Sequence, residues 1–111
     1  REHATMLYSV FPVTQLLVQD DHIAWVQLEP LAANRTRIRV TTLVLKRENT
    51  SLREKHWRRN HDFTVKTLNE DFELGKGIQE GFSSNVNTEL NFGRFEGALD
   101  NFNTTVESFL G

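Results

Sequence analysis

The chain has 111 residues, enough for one small domain with a modest hydrophobic core. Its 13 basic and 15 acidic residues leave a formal charge of -2, so no strongly basic field indicates nucleic acid as a partner. The sequence contains no cysteine, which excludes disulfides, thiolate zinc sites and cysteine-ligated iron–sulfur clusters within the chain.

The first part of the chain has the apolar runs and turn signals of β-strands. Residues 6–11 and 13–18 are two such runs, separated by Pro12. The pair Asp20-Asp21 follows the second run and is typical of a tight turn. Residues 22–28 then alternate, which predicts a hairpin with the preceding strand.

Two further features complete the predicted sheet. Within residues 22–28 we expect Ile23 and Trp25 on the buried side, together with Val26 or Leu28. Pro30 and residues 32–34 interrupt this pattern, and residues 36–45 form the clearest strand. The β-branched side chains that share one of its faces are Ile38, Val40, Thr42 and Val44. Short turns between successive strands predict an antiparallel meander over about residues 4–47.

The second half of the chain changes to helical periodicity. Ser51 and Glu54 have the spacing of a capping box, which predicts a helix over about residues 52–81. One broad stripe recurs at three- and four-residue steps and contains Trp57, His61, Thr64, Val65, Leu68, Phe72, Gly75, Ile78, Gln79 and Phe82. Gly75 and Gly77 weaken a helix interior, and a glycine on a buried face usually marks a close approach of backbone or ligand.

Asp71 is the residue that most needs an explanation. At roughly 100° per residue it lies within about 60° of Leu68, Gly75 and Ile78, on what reads as the inner face of the helix. A carboxylate on an apolar stripe costs free energy unless it is paired or bound to a metal. Alternatively, the register of the helix differs from the one inferred, and Asp71 is an acidic residue on its surface.

The chain ends with a polar segment and a shorter helix. Residues 81–91 are predicted to form a loop, and the final helix is expected over about residues 94–110. Its apolar face would carry Phe95, Leu99, Phe102, Val106 and Phe109.

Several of these elements together resemble one family. The order of sheet and long helix, the segment Asn69-Glu70-Asp71, the pair Gln79 and Gly81, and the segment 93–96 are similar to Rieske-type non-haem iron oxygenases. The resemblance is to the C-terminal part of the catalytic domain of the α subunit, and it covers residues 1–111. It implies an α+β fold in which an antiparallel sheet packs on a long C-terminal helix, as part of a helix-grip domain.

The same resemblance implies the chemistry. Such enzymes insert oxygen from O₂ into aromatic or small organic substrates, at a mononuclear Fe(II) held by two histidines and one carboxylate. It assigns the carboxylate to Asp71, with the histidines outside this chain. The Rieske [2Fe–2S] cluster would also lie elsewhere, because the chain has no cysteine. A ferredoxin or reductase would supply electrons, the protein would be a homo-oligomer, and the isolated chain would be inactive.

The wall of the long helix offers few candidates for contact with substrate. They are Leu68, Phe72, Gly75 and Ile78, and no residue of the chain is assigned a catalytic role. His56 and His61 have a metal-like spacing, but they diverge by about 140° around a helix and are read as non-ligands. Arg53, Lys55, Arg58 and Arg59 form a basic patch that a solvated face explains better than nucleic acid.

Two other functions stay open at the level of sequence. A helix-grip domain also serves as a non-enzymatic carrier of hydrophobic ligands, for which Asp71 would be a pocket or surface residue. A dimerising structural domain is a third, weaker alternative. If the chain is only the second half of a helix-grip domain, one sheet edge is left open, which predicts self-association. No apolar run approaches the roughly 20 residues of a membrane helix. No secretory signal is visible, and we expect a cytoplasmic protein.

Overall fold

A computed structural model of the chain describes residues 4–86, 89 and 91–111. The chain divides into two compact units, Arg1–Gly77 and Ile78–Gly111. All the strands belong to the first unit, and the last helix belongs to the second. No helix in the described part of the chain is long and apolar enough to cross a membrane.

A four-stranded antiparallel sheet makes up most of the first unit. Its strands are β1 (Met6–Val10), β2 (Thr14–Val18), β3 (His22–Ala32) and β4 (Arg35–Val44), and they pair in the order of the chain. The predicted meander is therefore confirmed, and so is the α+β class. Short connections such as the one between Val18 and His22 leave the chain little choice but to pair each strand with the next.

Strand β3 continues through the predicted break at Pro30. It extends to Ala32, with an irregularity of register between Pro30 and Ala32. Its pairing with β2 ends at Gln27, so Pro30 has a strand partner on one side only. A missing N–H costs little at such a position, which explains why proline is tolerated there.

The helix covers the face of the sheet opposite to the one expected. In β3 the buried residues are His22 at 8%, Ala24 at 1% and Val26 at 7% exposure. Ile23 and Trp25 lie on the other face and are only half-buried, so the prediction that they lie on the buried side was wrong. Of the two alternatives for the third buried residue, Val26 is buried and Leu28 is half-buried. The alternation was right.

The long helix α1 runs from Glu54 to Ser83, two residues later at each end than predicted. A short 3₁₀ turn at Lys46–Glu48 precedes it. The carboxylate of Glu54 accepts hydrogen bonds of 2.7 and 3.0 Å from Arg58, one helical turn ahead, instead of serving the predicted capping box. This contact raises the pKa of Arg58.

The first half of the predicted stripe on α1 is the part that is shielded from solvent. Trp57 is buried, and the half-buried residues that follow are Asn60, His61, Thr64, Val65, Leu68 and Phe72. Beyond Phe72 the helix is exposed as far as Gly81. A Cβ at Gly75 or Gly77 would meet no atom within 4 Å, so the expected close approach is not seen among the described residues.

The second unit contains the end of α1 and the helix α2. Helix α2 spans Gly97–Leu110 and begins three residues later than predicted. Phe95 therefore precedes it and is 94% exposed, while Leu99, Phe102, Val106 and Phe109 do share one helical face. The predicted loop begins only after Ser83, and its positions 87, 88 and 90 lie outside the described residues.

Candidate functional site

A cavity of about 380 Å³ lies between the sheet and α1, within the first unit. Its helical wall consists of Asn60, Phe63, Thr64, Thr67 and Leu68. These positions recur at three- and four-residue steps, which places them along one side of α1. The exposed position of Phe63, at 72%, shows that the cavity is a groove open to solvent on that side.

The opposite wall comes from β2 and the turn that follows it. Leu17 contributes an apolar surface near the end of β2, and Gln19, Asp21 and His22 contribute polar groups from the turn into β3. The turn is closed by a 3.0 Å hydrogen bond from the backbone N–H of Gln19 to the carbonyl of His22. The cavity thus has an apolar stretch and a polar end.

Asp21 and His22 form a hydrogen-bonded pair at the polar end. Nδ1 of His22 donates to Oδ1 of Asp21 at 2.6 Å. This bond holds the pKa of Asp21 below its ordinary value of 3.8, with weaker contributions from the charges of His22 and His56. The His22 side chain is only 5% exposed, whereas that of Asp21 is 55% exposed. The carboxylate is therefore ionised at neutral pH and accessible.

Trp57 fixes the start of α1 beside this pair. Its indole N–H donates a 3.0 Å hydrogen bond to the carbonyl of Glu48, and its ring lies 5.9 Å from that of His22. The His56 ring meets Trp57 edge-on at 4.6 Å, and Nε2 of His56 lies 4.0 Å from Oδ2 of Asp21. The strand pair and the helix are thereby joined at the polar end of the cavity.

The two histidines of α1 have separate environments. His56 is exposed beside Asp21, whereas His61 is half-buried with Nδ1 3.0 Å from Oγ1 of Thr42 on β4. They project in different directions, as the helical spacing predicted. Within residues 4–86, 89 and 91–111, no three His, Cys, Asp or Glu side chains are grouped so as to hold a metal ion.

Asp71 lies on α1 just beyond the cavity. By helix geometry Asn60 and Thr64 lie within about 20° of it around the axis, and Thr67 within about 40°. It is exposed, not buried on an apolar face as its position on the stripe suggested. Among the described residues its carboxylate has no hydrogen-bond or ion-pair partner, so this oxygen donor is uncommitted.

The predicted substrate contacts divide into two groups. Leu68 lines the cavity, whereas Phe72 is half-buried outside its lining. Gly75 and Ile78 are exposed, Ile78 at 57%. The sequence predicted Asp21 only as part of a turn and assigned no function to His22, the first residue of the strand that follows. The available signal was a histidine directly after an acidic turn, at the start of a strand that must face a helix.

The first unit is thus an antiparallel sheet with a groove between it and the long helix, and Asp71 lies on that helix beyond the residues that line the groove. Over residues 1–111 the sequence matches the family described as ring hydroxylating alpha subunit (catalytic domain). The chain therefore belongs to the ring-hydroxylating oxygenases, which are oxidoreductases. No curated protein and no solved structure gives a significant match.

Proposed function

We propose that the chain is the C-terminal portion of a helix-grip catalytic domain and supplies Asp71 as the carboxylate ligand of a mononuclear Fe(II). Asn60, Thr64 and Thr67 line the cavity and lie on the same side of α1 as Asp71. This alignment is the observation that carries the proposal. A substrate held in the groove would then lie beside the metal. Two histidines from outside this chain would complete the ligand set.

The chemistry of the donor suits this role. Carboxylate oxygen and imidazole nitrogen make up the facial ligand set of non-haem Fe(II), which leaves open positions for O₂. Asp71 has no described partner that would compete for its oxygens. Glu70 is the neighbouring acid, but it points about 100° away around the helix and lies beside Lys66 and Glu73 on another side.

The bound iron would supply the activation of O₂, and the residues of this chain would position the substrate. Leu17 and Leu68 offer apolar contacts to an aromatic or small organic molecule, and Phe63 flanks the opening. The [2Fe–2S] cluster has no place among these residues, because the chain has no cysteine. We assign the cluster, and the docking of a ferredoxin or reductase, to other parts of the protein.

The test is the iron content of the complete α subunit. Asp71→Ala should lose the mononuclear iron and retain the visible absorption of the cluster, because only the single-iron site loses a ligand. Glu70→Ala is the matched control, since it removes a neighbouring charge from a different side of the helix, and it should retain both. Equal iron in the Asp71→Ala and unmodified proteins would contradict the proposal and would mean that another residue is the carboxylate ligand.

A further inference from the structure

The cavity along α1 has chemically different ends. Asn60 and Leu68 are eight positions apart on the helix, which corresponds to about 12 Å along its axis. Nδ2 of Asn60 lies 3.2 Å from Nε2 of His56, which is 4.0 Å from Asp21, so Asn60 marks the end that contains Asp21. Leu68 lies toward Asp71 along the helix. A single aromatic ring does not cover a path of that length, so the polar end is available to a second part of a longer molecule.

The polar end is built to accept hydrogen bonds. His22 is 8% exposed and uses Nδ1 to hold one carboxylate oxygen of Asp21 at 2.6 Å. The second oxygen of that half-exposed carboxylate is 4.0 Å from His56, beyond hydrogen-bond distance. The buried histidine thus orients a carboxylate that is half-exposed and lines the cavity.

The charge of this end selects the kind of group that fits. Among the described residues, no lysine or arginine lines the cavity, so an anionic substituent would face Asp21 without a compensating fixed charge. The hydrogen bond from His22 lowers the pKa of Asp21, which keeps the carboxylate ionised. A hydrogen bond to an ionised acceptor is stronger than one between neutral groups.

We propose that the Asp21–His22 pair is a specificity site that binds a hydrogen-bond-donating group, such as a hydroxyl, at the far end of an elongated aromatic substrate. Asp21 accepts the hydrogen bond and His22 is a positioning residue. Asn60, which lies at this end of the cavity, is about 16 Å from Asp71 along the axis of α1. The inference rests on the proposed function, since it assumes that the groove is the substrate site.

The experiment measures binding to the complete, iron-loaded α subunit by equilibrium dialysis. The probes are 4-hydroxybiphenyl, 4-methoxybiphenyl and biphenyl-4-carboxylate, which share a frame and differ in the terminal group. The hydroxyl compound should bind about tenfold more tightly than the other two, because it alone donates a hydrogen bond without carrying a charge. Equal affinity for the hydroxyl and methoxy compounds, or no binding of any probe, would overturn the inference.

Two variants locate the effect. Asp21→Ala should reduce the preference for the hydroxyl probe to within about threefold, and Asp20→Ala should leave it unchanged, because Asp20 does not line this cavity. A preference that persists in Asp21→Ala would refute the assignment. If Asp21→Ala does not fold, the comparison of the three probes on the unmodified protein still decides the question.

Asp71→Ala separates this inference from the proposed function. Loss of iron with an unchanged probe preference supports both assignments. Retention of iron in Asp71→Ala contradicts the metal assignment alone, since the probe measurement does not depend on turnover. A hydroxyl preference that disappears on iron loss would instead show that the probe binds at the metal, and would overturn the role of Asp21.

Discussion

Nδ1 of His61 on α1 lies 3.0 Å from Oγ1 of Thr42 on β4. Both residues are half-buried, so the contact joins the helix to the sheet where it is partly shielded from water. It lies ten positions before Asp71, which means that the orientation of the helix near the proposed ligand depends partly on this contact. Trp57 provides a second attachment one turn earlier.

Replacing Thr42 with valine tests the contribution of this contact. Valine matches the shape of threonine and suits a strand, but it leaves His61 without its partner. We expect Thr42→Val to be about 1 kcal/mol less stable than Thr42→Ser, which retains the hydroxyl. The midpoint of urea unfolding measures the difference. Equal midpoints for the two variants would show that the hydrogen bond does not stabilise the fold.

Trp57 should be the most sensitive apolar position in α1. It is buried at 8% exposure and donates to the carbonyl of Glu48. We expect Trp57→Ala to cost about 3–5 kcal/mol, since large-to-small changes in a core also leave a cavity. Leu52→Ala is the control, because Leu52 is 94% exposed, and it should change stability by no more than about 0.5 kcal/mol. Thermal or urea unfolding measures both.

Protonation of Asp21 at acidic pH should lower the stability of the fold. Its pKa is lowered in the folded state, mainly by the hydrogen bond from His22. The unfolded chain therefore binds more protons in this range. The contribution of Asp21 is complete above its ordinary pKa of 3.8 and is lost as the pH falls through the lower folded value.

The measurement compares urea midpoints of the unmodified protein and Asp21→Asn from neutral pH to below 3.8. Asp21→Asn should show a smaller loss of stability across this window, because its amide does not titrate. Glu70→Gln removes an exposed charge of α1 elsewhere and should retain the full dependence. The same pH profile in Asp21→Asn and the unmodified protein would refute the assignment.

The isolated chain should associate through strand β1. Every residue of β1 is exposed, and Leu7 is 60% exposed at the edge of the sheet. An unpaired apolar edge favours pairing with another strand. We expect Leu7→Lys to reduce concentration-dependent association in sedimentation velocity. Leu52→Lys, which adds the same charge outside the sheet, should have little effect. Association that is insensitive to Leu7→Lys would point to another surface.

The order and type of the elements could be predicted from local patterns. Alternation over β3 and β4, and three- and four-residue steps from Trp57 to Phe72, appear in the structure as predicted. These patterns work because side chains alternate across a strand and recur on one side of a helix. The ends of the helices were displaced by two or three residues, since several neighbouring positions can begin or end a helix at similar cost.

The face of the sheet could not be chosen in this way. Ile23 and Trp25 were predicted on the buried side, yet the buried apolar residues of β3 are Ala24 and Val26. A strand pattern fixes which residues share a face. Which face a helix covers depends on the fit between two surfaces that are distant in the sequence.

The sequence by itself determined the α+β class, the meander, the stripe on α1 and the resemblance that singles out Asp71, because each depends on residues close together in the chain. Only the tertiary structure decided that the turn carrying Asp21 and His22 lies beside His56 and Trp57 of α1 and lines a cavity together with Asn60. That meeting depends on packing between residues some forty positions apart. Local propensity carries no information about such a contact, which arises when the sheet and helix bury their facing surfaces together.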